Sequence, residues 1–111
     1  MKSSREQGDD WAEQICSTLN RYLVKPMAVT KNSGAVHRDA DMKNSWLAVD
    51  CKANAGGKFK KSMPFNELDK VTMQAHETNR IGVLIVERES GHHTVAMSVD
   101  DFEQLLTFVK T

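Results

Sequence analysis

The sequence predicts a single α/β domain with a mixed central β-sheet flanked by helices, in the order α-β-β-β-α-β-β-α. Three observations carry that prediction. Apolar residues recur at helical spacing near the N-terminus and again near the C-terminus. A continuous apolar run at 81–86 has the character of a buried strand. Between these segments, short β-prone stretches alternate with turn residues. The 111 residues are 40% hydrophobic and 27% charged, which is one domain of ordinary globular composition and excludes long disorder. No run approaches the ~18 apolar residues of a membrane span, and no export signal follows the polar start. Two cysteines, Cys16 and Cys51, are too few for a disulfide framework or a four-cysteine zinc site. Both thiols are expected to be free in a reducing cytoplasm.

Taken in order, residues 1–8 are polar and expected to be frayed, leaving 9–111 as the domain. Asp9 or Asp10 can cap a first helix that runs to about Leu23. Trp11, Ala12, Ile15, Cys16, Leu19, Tyr22 and Leu23 share an arc of about 140° on it. Lys25-Pro26 ends the helix, because proline lacks an N–H and its ring clashes with the preceding turn. A short strand at 27–30 meets the turn signal Lys31-Asn32-Ser33-Gly34. Residues 39–42 lead through Lys43-Asn44-Ser45 into a strand at 46–52. A polar loop covers 53–58 and a further short strand 59–63. Asn66, with Asp69 three residues later, resembles a helix N-terminus. Leu68, Val71, Thr72 and Ala75 form that helix's inner face. The strand at 81–86 pairs with one at 94–97 through a turn around Ser90-Gly91. Ser98 caps a last helix with Val99, Phe102, Leu105, Leu106 and Val109 on one stripe.

The formal net charge is zero, which taken whole argues against a nucleic-acid partner. Its distribution argues the reverse. From Arg21 to Lys61 there are nine basic residues and three acids, Asp39, Asp41 and Asp50, a net +6. The remaining residues, with six basic and twelve acidic side chains, carry −6. A segregated positive stretch of this kind matches an anionic partner, although it is equally what a solvated lysine-rich surface looks like.

Alternation along 46–52 sends Leu47, Val49 and Cys51 to one face and Ala48, Asp50 and Lys52 to the other. Asp50 and Lys52 are therefore neighbours on one face, with Asp39 or Asp41 on an adjacent strand. Two carboxylates can hold a hard divalent cation with water positions left open. Such a cation lowers the pKa of bound water and polarises a phosphoryl oxygen. A lysine beside it can orient the attacking water or neutralise charge on the phosphate. Taken alone, an Asp-x-Lys triplet is more often a cross-strand ion pair.

The ordered set resembles the PD-(D/E)xK nuclease superfamily, particularly small Holliday-junction resolvase-like and phage-type endonucleases. The matching elements are Glu13 on the first helix, Ser33-Gly34-Ala35, Ala40-Asp41-Met42, Val49-Asp50-Cys51-Lys52, Ser62 after a basic loop, and the helix near Asn66. They span residues 11–86. The resemblance implies a restriction-endonuclease-like fold and a nuclease-like domain over 9–111. It implies Asp41 and Asp50 as metal-binding acids, Lys52 as the catalytic lysine and the Cys51 backbone carbonyl as a further metal ligand. Glu13 resembles the helix-borne acid that assists metal binding, with a solvated glutamate as the bland alternative. Ala40 stands where the family has proline, which leaves the choice between Asp39 and Asp41 open.

Read this way, the chain is expected to be a Mg²⁺-dependent endodeoxyribonuclease, with Mn²⁺ as a substitute. Lys31, Arg38, Lys58, Lys60, Lys61 and Ser62 are the candidate contacts to DNA phosphates. A chain this short has little left for sequence reading, so structure-selective cleavage of branched or junction DNA is the expected specificity. Paired nicks would need a homodimer. The implied location is the cytoplasm of a prokaryotic cell or a phage-infected host. The competing expectation is a non-catalytic DNA-binding or assembly module with the same fold. Lys70 and Gln74 lie on the opposite face of their helix from Leu68 and Val71, where solvation is the simplest account. A zinc site from Cys16, Cys51 and a histidine is disfavoured, because the patterning sends both thiols to the core.

Overall fold

The computed structural model describes residues 4–30, 40–53, 62–88 and 92–109, with side chains described from Asp10 onward. Its elements are α1 (Ser4–Asn20), β1 (Ala28–Val29), β2 (Met42–Lys43), β3 (Leu47–Lys52), α2 (Phe65–Glu77), β4 (Ile81–Val86), β5 (Thr94–Ala96) and α3 (Val99–Phe108), so that Met42–Lys43, rather than the segment expected at 59–63, is one of the three strands before α2. The five strands form one sheet in the order β1-β2-β3-β4-β5. Only β3 and β4 run parallel, because α2 carries the chain back between them; the other pairs are antiparallel. No helix among the described residues is long and apolar enough to cross a membrane.

The alternation along β3 divides the core in two. Val49, Leu47 and Cys51 join Met42 and Ile85 beneath α1, whose Trp11, Ala12 and Cys16 are buried. Ala48 joins Leu84 and Val86 beneath α2, whose Val71 and Ala75 are fully enclosed. Gly82 allows the close approach of α2 to β4: a Cβ there would lie 2.9 Å from the Val71 carbonyl oxygen. Asn79, in the left-handed region at φ 56°, turns the chain from α2 into β4.

Several local expectations need correction. Helix α1 spans Ser4–Asn20, so Asp9 and Asp10 lie inside it rather than capping it. It stops three residues before Leu23, ahead of the Lys25-Pro26 breaker. The Asn20 carboxamide accepts from the Met27 N–H (2.8 Å) and donates to the Met27 carbonyl (3.0 Å), closing the turn that follows. Tyr22, beyond that end, is 81% exposed and not part of the inner arc. Helix α2 starts at Phe65 with Pro64 at the N-cap position and no side-chain cap, so Asn66 is inside it. Ser62 and Met63 are not in a strand; the rest of the strand expected at 59–63 lies outside the described residues. Ser98 does cap α3, its hydroxyl accepting from the Asp101 N–H at 3.1 Å.

The β2–β3 turn is organised by Asn44, which is buried. Its side-chain oxygen accepts from the Trp46 and Leu47 N–H groups, and its amide nitrogen donates to the Lys25 carbonyl. This local closure sets the register of β2 on β3 and, one step further along, of the acidic residues.

Candidate functional site

The β2–β3 register pairs Met42 with Val49, and one residue further it sets Asp41 opposite Asp50. The two acids are laced to each other's strand. The Asp41 N–H donates to Asp50 Oδ1 at 2.8 Å, and the Cys51 N–H donates to Asp41 Oδ2 at 2.8 Å. Each carboxylate thus engages a backbone donor, which pins its orientation. Two like charges held opposite each other at a partly buried position oppose ionisation. The Asp50 carboxyl is accordingly pushed up to about 6, first by burial and next by the negative charge of Asp41. The bond from the Asp41 N–H works in the other direction, as does the Lys70 ammonium, while Glu67 adds to the rise.

Lys52 follows two residues after Asp50 on the same face of β3, toward α2. Its Nζ lies 3.9 Å from Glu67 Oε1 in the first turn of α2. A pocket of ≈ 440 Å³ opens here, between Lys52, Ser62 and the α2 N-terminus at Pro64, Phe65, Asn66 and Glu67. The recess is of mixed charge: the Lys52 ammonium faces it beside the Glu67 carboxylate, and at the start of α2 the Phe65 and Glu67 N–H groups already donate to the Met63 and Pro64 carbonyls.

Asp41, Asp50, Lys52, the Cys51 backbone and Ser62 are therefore brought to one side of the sheet. The Lys52 carbonyl accepts from the Glu87 N–H toward β4, whereas the Cys51 N–H points to Asp41. N–H and C=O of one strand residue point the same way, so the Cys51 carbonyl is directed to the acidic edge. The Cys51 thiol faces the α1 core, where burial pushes its pKa strongly upward. Burial also raises that of Cys16, whose Sγ donates to the Met27 carbonyl. Neither thiol is suited to zinc ligation, which requires the thiolate.

Glu13 is not part of this group. Helix α1 packs on the Val49 and Cys51 face of the sheet, opposite to Asp50 and Lys52, and Glu13 is exposed with Asp10, Gln14, Ser17 and Thr18 on its outer side. Among the described residues, no three His, Cys, Asp or Glu side chains are grouped to hold a metal ion. Asp41 and Asp50 nevertheless fit Mg²⁺, which takes one or two carboxylates and completes its shell with water and substrate phosphate oxygens. Lys31, Arg38, Lys58, Lys60, Lys61 and Asp39 lie outside the described residues.

Three features were not legible in the sequence. Glu67 partners Lys52 across the α2–β3 interface, a contact that only the packing creates. Asp101 is 1% exposed and joins α3 to the body, with Oδ1 2.7 Å from His76 Nε2 and Oδ2 accepting from the Gly82 N–H at 3.2 Å. Gln74, expected on a solvated face, has its Oε1 buried and without a hydrogen-bond partner among the described residues. Comparison with protein-family models, curated proteins and solved structures found no match for this chain.

Proposed function

We propose that the chain is a metal-dependent DNA endonuclease of restriction-endonuclease-like fold, with its active site at the Asp41–Asp50 edge. The observation that carries this reading is the opposed pair of backbone-pinned acids, with Asp50 raised to about 6 and a lysine two residues away on the same face. Two carboxylates forced together at a partly buried edge oppose each other until a cation neutralises them. A bound Mg²⁺ would supply Lewis acidity toward the scissile phosphate and an acidified water.

The chain's own groups do the rest. Asp41 and Asp50, with the Cys51 carbonyl, would hold the cation. Lys52, released from Glu67 as the phosphate backbone enters the pocket, neutralises charge developing on the phosphate and orients the water. Ser62 holds a neighbouring phosphate. The basic residues of the 21–61 stretch supply attraction to the DNA backbone without reading sequence; a domain of this size has little left for a sequence-reading element, and branched or junction DNA is the proposed substrate.

The test is incubation of the purified protein with a four-way junction, a nicked duplex and supercoiled plasmid, in Mg²⁺, Mn²⁺ or EDTA, beside the Asp50→Asn variant. The expected result is metal-dependent cleavage that Asp50→Asn reduces by at least about 100-fold. No cleavage in either metal, or equal cleavage by the variant, overturns the reading. Salt-dependent DNA binding without cleavage would instead identify a non-catalytic DNA-binding module.

A further inference from the structure

The recess beside Lys52 has walls of unequal chemistry. Phe65, the first residue of α2, is 64% exposed and belongs to neither hydrophobic cluster of the core. Its N–H donates to the Met63 carbonyl at 2.8 Å, which fixes the backbone at this point. Asn66, next along the chain, is exposed, so its carboxamide has an oxygen acceptor and N–H donors to offer. Lys52 and Glu67 add one positive and one negative group, 3.9 Å apart. A phenylalanine exposed on open surface needs no explanation. Phe65 instead lines a recess of ≈ 440 Å³ together with a carboxamide, an ammonium and a carboxylate.

Those walls discriminate among ligands. A phosphate drawn fully into the recess would meet the Glu67 carboxylate, which repels it. An aliphatic group would cover the Asn66 amide and the Lys52–Glu67 pair without giving them polar partners. A nucleobase meets both demands. Its neutral π-face stacks on an aromatic ring, and its edge carries the donors and acceptors that a carboxamide and a carboxylate read. The volume falls in the range of ~300–1,000 Å³ that small organic groups occupy. The position agrees. Strand rise puts Lys52 about 7 Å along β3 from Asp50, so the recess adjoins the acidic pair rather than standing apart from it.

We propose that this recess takes one unstacked nucleobase of a bound strand, with Phe65 as its stacking platform and Asn66 reading its edge. Resting on the reading of Asp41, Asp50 and Lys52 as a site that acts on DNA, the assignment names the substrate more closely: a strand with an unpaired nucleotide beside the cleaved phosphate. A base in an intact duplex must first leave its stack, a cost that single-stranded and branch-point nucleotides largely avoid. Selectivity then follows from which base is already free, not from sequence.

Fluorescence anisotropy in EDTA tests it on the full chain without any need for cleavage. The probes are a single-stranded dT oligomer of about eight nucleotides, an abasic oligomer of the same length, and a blunt duplex. Phe65→Ala should weaken binding of the dT oligomer by roughly 10-fold while abasic and duplex affinities stay within about 2-fold. Phe65→Tyr should bind like the wild type. Circular dichroism of both variants should be unchanged, since Phe65 is largely exposed and outside the core. Equal binding of the dT oligomer by wild type and Phe65→Ala overturns the proposal. So does an equal loss on the abasic oligomer, or a wild type that does not distinguish the two single strands. Junction cleavage with no effect of Phe65→Ala on dT binding removes this inference and leaves the nuclease reading. Phe65-dependent base binding with no cleavage in Mg²⁺ or Mn²⁺ supports the recess and overturns the nuclease reading.

Discussion

Among the described residues, Asp101 and Asp50 are two aspartates drawn in from solvent that are treated in opposite ways. Asp101 is almost wholly enclosed, yet it meets His76, the Gly82 N–H and, through its own N–H, Ser98. Asp50 is less enclosed, yet it is set against a second carboxylate and its pKa is raised to about 6. Burial alone therefore does not mark a site. What separates the two is the sign of the neighbours: Asp101 is surrounded by donors and ties α3 to the body, whereas Asp50 is held in a frustrated pair that a cation would relieve.

The largest expected effect is at the satisfied acid. Asp101→Ala leaves the Gly82 N–H and His76 without their acceptor and should cost about 3 kcal/mol in urea denaturation, detaching α3. Gly82→Ala should cost about 2 kcal/mol, because its methyl would press on the α2 backbone at Val71 and Thr72.

At the frustrated acid the sign reverses. Asp50 titrates at about 6 in the folded chain against 3.8 ordinarily, so between those values the folded state binds more protons than the unfolded one. Its contribution to stability is therefore lost as pH rises from about 4 to about 6, by up to about 3 kcal/mol. Asp50→Asn removes that dependence. The difference in unfolding free energy between variant and wild type should grow through this window and level off above it, leaving the variant about 2 kcal/mol more stable at neutral pH without metal.

The smallest effects mark the edges of the site. Lys52→Met removes only a long, partly exposed contact to Glu67 and should change stability by less than about 0.5 kcal/mol while abolishing cleavage. Glu13→Gln, on the far side of the sheet, should alter neither metal response nor cleavage.

These contrasts also show which parts of the structure local sequence carries. Strand β4 was legible to the residue because the apolar run is only six residues long, too short for a typical buried helix, and rich in β-branched Ile and Val. The facing of Asp50 and Lys52 was legible because strand periodicity is two and Val49 must go inward. The end of α1 was not, since the Asn20 carboxamide bonds to a residue seven positions away. The choice between the two readings of Glu13 was not legible for a related reason: helical angle fixes a residue's position around its own axis but not which face of the sheet the helix covers. The Lys52–Glu67 contact joins β3 to α2 and the Asp101–His76 pair joins α3 to α2, and no local pattern encodes either.

The central claim is that Asp41 and Asp50 form a cation site, and the most direct measurement is the melting temperature near neutral pH with and without Mn²⁺. The account predicts a rise of about 5 °C for the wild type and none for Asp50→Asn. A wild-type melting temperature indifferent to Mn²⁺, or an equal rise in Asp50→Asn, would contradict it.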